Sequence, residues 1–423
     1  MSGSNKHILV PQLRFPEFRD AEEWTTYNLG QLSKIVTERV GDNDCIPYTI
    51  TSGVGLISQQ EKLGRTIAGN SLKNYILLQH NDFAYNKSAT KAYPQGYIAC
   101  YLGHERAAVP NSIFTCFRPT PNLVIPAFLN NLFVANLHGK WLKNRVAVGA
   151  RANGALQVNN NDLMNVPVPL PTGSQSLSEQ KKIADCLSSL DDLLTAEVQK
   201  LNVLKEYKKG LLQQLFPREG ETLPKIRFPN FQSTTEWKIC PLSDFIEEYR
   251  EKSTYQDEYE VLTSARNGLI RQREYYDNER ITERNNVGFN IIPVNYITYR
   301  SRSDDRRFYF NENNLGITGI ISTYYPVFRI NKGINKFFIE LLAQYAEYVG
   351  KHSVGTSQTV LSLNELRRIK LPIPTEAEQQ DIANCLYSFD NIIVAQAQKV
   401  KTLKTFKKGL LQQIFPKVNE VIL

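Results

Sequence analysis

Two polar segments of this 423-residue chain hold side chains suited to binding a polyanion that also carries base edges. The first comprises Tyr85, Asn86, Lys87, Ser88 and Lys91, with Arg151 further on. The second comprises Tyr299, Arg300, Arg302 and Arg306, within a run that continues to Arg307. Arg and Lys pair with phosphate or with guanine edges, Asn pairs with adenine edges, and Tyr stacks or donates a hydrogen bond. Thr51 and Ser52 in one place, and Thr263, Ser264 and Arg266 in another, add a second matched set. Taken singly, such loops are solvated surface. Their interest lies in their placement, because each set occupies equivalent points in two copies of one plan.

The duplication is plainest at residues 179–217, which reappear without a gap at residues 378–416. Both copies open on a Glu-Gln pair, Glu179-Gln180 and Glu378-Gln379. Both close on one signature, Lys208-Lys209-Gly210-Leu211-Leu212-Gln213-Gln214 and Lys407-Lys408-Gly409-Leu410-Leu411-Gln412-Gln413. Upstream, the run Pro11 to Phe18 matches Pro224 to Phe231 as PxxRFPxF, and Trp24 then falls on Trp237. Weaker echoes link Thr51-Ser52 with Thr263-Ser264, and the Tyr85 loop with the Tyr299 loop. Each half therefore reads as a divergent globular module followed by a nearly constant helix, and such a repeat implies a molecule with two similar arms.

The elements that must position the polar loops follow from hydrophobic spacing. Ile183, Leu187, Leu190, Leu194, Leu201, Leu204 and Leu211 step by four and three, and Leu215 extends the row. Ile382, Leu386, Phe389, Ile393, Val400, Leu403 and Leu410 do the same, with Ile414 beyond. Glu197 and Lys208 fill the two missed slots of the first row, and Gln396 and Lys407 those of the second. A heptad seam sustained this far predicts a coiled coil, with helices roughly 57 Å long. Pro217 and Pro416 stop both at matching points. Gly210 and Gly409 fit either a close backbone approach or a local fray. The Pro-rich leads Val166 to Pro171 and Leu371 to Pro374 should be stiff and extended. Mutual antiparallel pairing with pseudo-two-fold symmetry is the simplest use of two such similar seams. The plainer alternative is that each helix packs only on its own module. The modules, about residues 19–171 and 232–374, mix short β-prone runs with turn clusters and a late helix, so the fold class is α+β.

The bulk numbers limit the function classes. A net charge of +8 suits a polyanionic partner. Six cysteines without a CxxC pair predict a reduced, intracellular and cytoplasmic chain, and the N-terminus does not resemble a signal peptide. No apolar run approaches the roughly 20 residues needed to cross a bilayer, so no membrane role is expected. The sequence lacks GxxxxGK[ST], HExxH, GxSxG and Asn-Pro-Pro-Tyr. His7, His80, His104, His138 and His352 are scattered without metal-ligand spacing. The expectation is a chain that catalyses nothing itself and holds no metal or cofactor. A protein-binding scaffold and a nuclease with an unseen motif stand as the alternatives.

In its duplicated helices ending KKGLLQQLFP and KKGLLQQIFP, its Glu-Gln helix starts and its PxxRFPxF openings, the chain resembles the specificity subunit of type I restriction–modification systems. The resemblance spans nearly the whole chain. It implies target-recognition domains at residues 1–172 and 218–374, and conserved helical regions at 173–217 and 375–423. It also implies that each domain reads one half of a split site in double-stranded DNA and that the helices fix the spacing. The implied protein partners are modification (methyltransferase) subunits, two per chain, and restriction subunits carrying the motor and nuclease.

Overall fold

A computed structural model of the chain describes residues 9–416, apart from 52, 144, 146, 149–155, 267, 276–284 and 357. The chain divides into two units, residues 1–197 with 399–423, and residues 198–398. Each unit thus holds one globular module, the first half of the long helix that follows it, and the last half of the other long helix.

The two modules share one strand plan. In unit 1, a four-stranded sheet runs in the order Ser33–Val36, Phe114–Pro119, Phe83–Asn86, Tyr97–Cys100, all antiparallel. A second sheet runs Gly55–Ser58, Ile46–Thr51, Ala107–Val109, Ile76–Leu78, in which the two middle strands are parallel. Unit 2 repeats both. Its first sheet is Ile246–Tyr249, Val327–Ile330, Ile297–Tyr299, Phe310–Glu312. Its second is Gly268–Arg271, Glu260–Ala265, Gly319–Ile321, Asn290–Ile292, again with a parallel pair in the middle. The strands are short and rich in β-branched and aromatic residues, which fit a pleated surface covered on a face. Phe83, Ala84 and Tyr85 are all buried, as are Ile297, Thr298 and Tyr299, so both faces of this strand are covered in each module.

The Pro-rich leads are extended, as their composition predicts. Pro167–Leu170 pairs with Thr25–Asn28, and Lys370–Ile373 pairs with Lys238–Pro241. Each is one of only two strands, so a proline that cannot donate costs little ladder bonding. From these leads the chain enters the long helices, Ser176–Leu215 and Glu376–Ile414. Both end two residues before a proline.

The repeated sequence motifs meet where the long helices begin and end. Arg14 grips Glu179 with two parallel bonds of 2.8 and 2.7 Å, and Trp24 donates its indole N–H to the same carboxylate at 3.2 Å. Arg227 grips Glu378 with the same 2.8 and 2.7 Å geometry. Both glutamates are buried. Gln180 accepts from the Ile125 N–H at 2.9 Å, and Gln379 from the Ile334 N–H at 3.2 Å, which ties each helix start to the late helix of its module. The same PxxRFPxF segments satisfy the carbonyls of a helix end. Leu13 N–H donates to Gln413 O in unit 1, and Ile226 N–H donates to Gln214 O in unit 2, both at 3.0 Å. Phe415 then sits 5.4 Å from Phe128, and Phe216 sits 5.4 Å from Phe337.

Each unit's core therefore receives the start of one long helix and the end of the other. Ile183, Leu187, Leu411 and Ile414 share the unit 1 core, and Leu212, Leu215, Ile382 and Leu386 share that of unit 2. Within a unit the two helices run in opposite directions. Lys407 bonds Asp191, and Lys399 bonds Glu197 at 2.5 Å. In unit 2, Tyr207 lies 5.4 Å from Phe389, and Lys208 bonds Asp390 at 2.6 Å. The start of each helix thus joins its own module, as the plainer alternative holds, but its end joins the core of the other. The inner residues Leu190, Leu194, Leu201, Leu204, Leu211, Phe389, Ile393, Leu403 and Leu410 are half-buried, and Val400 is buried. Glu197 and Gln396, in missed slots, are buried too. Outside the helix's own nearby backbone and the flanking residues, no atom of the described residues lies within 4 Å of the place where a Cβ on Gly210 or Gly409 would stand, so close packing among them does not explain either glycine.

Candidate nucleic-acid interface

The polar residues singled out in the sequence separate into three groups. Tyr85 and Tyr299 are corrected outright as contact residues, because both are fully buried. Tyr85 donates its hydroxyl to Gln95 O at 2.8 Å, and Tyr299 donates to Leu361 O at 2.9 Å. Burial raises both phenols well above their ordinary pKa. They occupy a strand with both faces covered, and they hold the loops rather than extend from them.

A second group is half-buried and committed to neighbours. Asn86 accepts from Ser88 N–H at 2.9 Å, and Ser264 accepts from the Asn311 amide at 2.7 Å. Lys87 is half-buried, and burial pulls its ammonium below the usual lysine value. Thr263 pairs with Ile270 in a hairpin, and Thr51 pairs with Gly55 in the matching one. The buried Thr51 hydroxyl has no partner among the described residues.

The third group is exposed: Lys91, Arg266, Arg300, Arg302 and Arg306. Arg302 lies over the Tyr324 ring at 4.1 Å. Ser52 and Arg151 fall outside the described residues.

Unit 2 brings part of this third group to a groove of about 1360 Å³. One wall is the end of the first long helix, with Lys208, Lys209 and Gly210, and the segment after it, with Lys225. The other carries Arg266, Arg307, Tyr309 and Tyr348. Its charges are unequally used. Lys208 bonds Asp390 at 2.6 Å and Glu340 at 3.3 Å, and Lys336 bonds the same two acids at 2.6 and 2.9 Å. These four charges cancel. Lys225 and Arg307 have no ion-pair partner among the described residues, and Lys209 only brushes Glu206 at 4.0 Å. The free positive charge is therefore on the rim and on the module wall, where a polyanion would meet it.

The module wall is held rigidly. Ser303 donates to Asp305 Oδ1 at 2.8 Å, and Arg307 N–H donates to that same oxygen at 3.1 Å. These two bonds, the hydroxyl foremost, keep the Asp305 carboxyl below its ordinary pKa. Thr359 secures the turn by donating to Ser303 O at 3.0 Å. Arg306 takes φ +58°, an unusual left-handed conformation for a residue with a Cβ. Gly350 makes room for it, since a Cβ there would stand 2.5 Å from Arg306 O. Arg266 is bracketed by this wall, 3.7 Å from Asp305 and 5.6 Å from the Tyr309 ring centroid.

Sequence reasoning did not single out Lys225, Tyr309 or Tyr348. Tyr309 had a signal, since it alternates with Phe308 and Phe310, both buried, and so points outward. Lys225 lies inside an opening motif valued for its arginine, and nothing local marks it as groove lining. Among the described residues, no cluster of three or more His, Cys, Asp or Glu could hold a metal ion, and no helix is long and apolar enough to cross a membrane.

Comparison with known proteins agrees with this architecture. The family model for the type I restriction modification DNA specificity domain matches residues 21–206 and 234–405. The chain is 24% identical over 347 residues to the putative type I restriction enzyme MjaX specificity subunit of Methanocaldococcus jannaschii, covering 75% of this chain and 73% of that protein. It is 23% identical over 292 residues to the MjaVIII specificity subunit of the same organism, covering 62% and 64%. In fold it is similar to the type I restriction–modification S subunit from M. genitalium, at a TM-score of 0.54 and 13% identity over 97% of this chain and all of that one. It is also similar to a chain from a structure of type I R-M complex assembly and conformational transition, at a TM-score of 0.52 and 17% identity over 93% of this chain and 97% of that one. With two copies of the domain spanning most of its length, the chain belongs to the type I restriction–modification DNA specificity family.

Proposed function

We propose that this chain is the non-catalytic DNA-reading subunit of a type I restriction–modification complex and recognises a bipartite site in duplex DNA. One module reads each half-site. The long helices pair as an antiparallel coiled coil, set the distance between half-sites, and dock two modification subunits, which the restriction subunits then join. The observation that carries this reading is the contrast within the repeat. Two modules with the same strand order differ in their exposed loops, while the helices that follow them are nearly identical. A constant frame with two different reading surfaces fits two different half-sites.

The helices also offer somewhere for equivalent partners to bind. Leu193 and Phe406 are exposed in unit 1, and Ile392 and Tyr207, their repeat counterparts, are exposed in unit 2. Apolar side chains at matched, solvent-facing positions support docking of two copies of one partner. Neither the strand plan nor the groove requires the chain to supply a catalytic group.

The test is to co-express the chain with its modification subunit in a host lacking other methyltransferases and to map modified bases across the genome. The expected motif has two short specified blocks separated by a fixed unspecified gap. A single contiguous motif, or no motif at all, would overturn the reading.

A further inference from the structure

We propose that Arg266 and Arg307 recognise guanine in the half-site read by residues 218–374, and that Asp305 acts as a positioning residue for Arg266. This rests on the DNA-reading function proposed above.

The cations of the groove are unequally committed. Lys208 and Lys336 are consumed by Asp390 and Glu340. Arg266 and Arg307 line the same groove from the module side and remain exposed. A guanidinium presents a planar fork of donors that matches the O6 and N7 acceptors of guanine in the major groove. Selective use of that fork requires that it be aimed beforehand, because a floppy arginine contacts phosphates as readily as bases.

Built features place the Arg266 guanidinium and the Arg307 backbone. Arg307 lies at the end of a turn whose backbone is fixed by the Ser303 hydroxyl and the Asp305 carboxylate. Arg266 occupies the tip of the hairpin between Glu260–Ala265 and Gly268–Arg271. That hairpin is tied to the next sheet by Asn311, whose amide donates to Ser264 Oγ at 2.7 Å and to Ala265 O at 2.8 Å. Asp305 at 3.7 Å and the Tyr309 ring centroid at 5.6 Å then neighbour the Arg266 guanidinium. Asp305 is itself anchored by Ser303, so it can orient an arginine without being drawn away.

Unit 1 supplies the contrast. Its corresponding hairpin turn, residues 52–54, carries no cation. By the ladder register, Gln95, Gly96 and Tyr97 of unit 1 stand where unit 2 has Arg307, Phe308 and Tyr309. The same corner of one plan carries arginines in unit 2, whereas the matching loop of unit 1 carries lysines, Lys87 and Lys91. Recognition of guanine by an arginine fork at this corner is therefore expected of the second half-site.

The experiment uses the complex of the full chain with its modification subunits and a randomised duplex DNA library. Arg266→Gln, Arg266→Lys, Arg307→Gln and Asp305→Asn are compared with the unaltered protein. The expected result for Arg266→Gln and Arg307→Gln is loss of roughly 10- to 100-fold discrimination at a G·C pair in one half-site, with the other half unchanged. Arg266→Lys should lose part of the same preference, because an ammonium lacks the planar fork that fits O6 and N7 together. Asp305→Asn should weaken preference at the Arg266 base pair while leaving the salt dependence of binding unaltered. Uniform loss across all sequences with a shallower salt slope, rescued by lysine, would assign the arginines to phosphates and overturn the proposal. An unchanged motif would overturn it too. If the unaltered complex selects no bipartite motif, the DNA-reading function itself fails, and that outcome is distinct from the others.

Discussion

At the scale of single residues, two buried glutamates fix where the long helices begin. Glu179 and Glu378 are each held by a two-pronged arginine, and Arg227 and Glu378 have only 7% and 2% of their side chains exposed. Removing one partner of such a pair leaves an uncompensated buried charge, which costs about 3–5 kcal/mol. Arg227→Ala should therefore lower unfolding stability by about that amount, whereas Arg227→Ala combined with Glu378→Leu should recover much of it. Urea denaturation of the four proteins of this cycle checks both statements, and additive losses would show that the pair does not act as a unit. The sequence displayed both motifs twice. It did not show that they touch, because Arg14 and Glu179 are 165 residues apart. Tyr85 and Tyr299 show the opposite difficulty. Polar neighbours suggested a loop, but whether both faces of a strand are covered depends on which sheet and helix enclose it.

At the scale of elements, the polar interruptions of the heptad seam were legible as gaps, and the structure gives two of them a role. Lys208 sits where a leucine would continue the row and joins Asp390, Lys336 and Glu340. Among the described residues its counterpart Lys407 has only Asp191 as an ion-pair partner, because the late helix of unit 1 places Ala127 and Asn131 where unit 2 has Lys336 and Glu340. Burial alone would raise the Asp390 pKa, but the two ammonium groups prevail and hold it below its ordinary value of 3.8. A carboxyl lowered on folding stabilises the protein fully above its unfolded pKa and loses that contribution as the pH falls through the folded one. Asp390→Ala should thus destabilise unit 2 at pH 7 by a few kcal/mol, about the cost of breaking a partly buried network. The difference from the unaltered protein should shrink below about pH 3.8. Thermal melts between pH 7 and pH 2.5 measure this, and a difference independent of pH would remove the electrostatic explanation.

At the scale of the molecule, the proposed ruler makes a geometric prediction. Seven residues inserted at matching seam positions in both long helices keep the heptad phase and lengthen each by about 10.5 Å. Duplex DNA rises about 3.4 Å per base pair, so the unspecified gap in the modified motif should grow by about three base pairs with both half-sites retained. Methylation mapping of the insertion variant reads this directly, and an unchanged gap would sink the ruler. The sequence by itself determined the duplication, the helices and their proline stops, the extended Pro-rich leads and the mixed α+β character. Each of these follows from local spacing or local backbone restriction, which a linear string contains. Only the tertiary structure decided that each core takes the start of one long helix and the end of the other. It alone also showed that Tyr85 and Tyr299 are internal, and that Arg266, Arg307 and Tyr309 converge on one groove. Those facts depend on which distant segments exclude water from one another, and burial of that kind is a property of the folded chain rather than of any stretch within it.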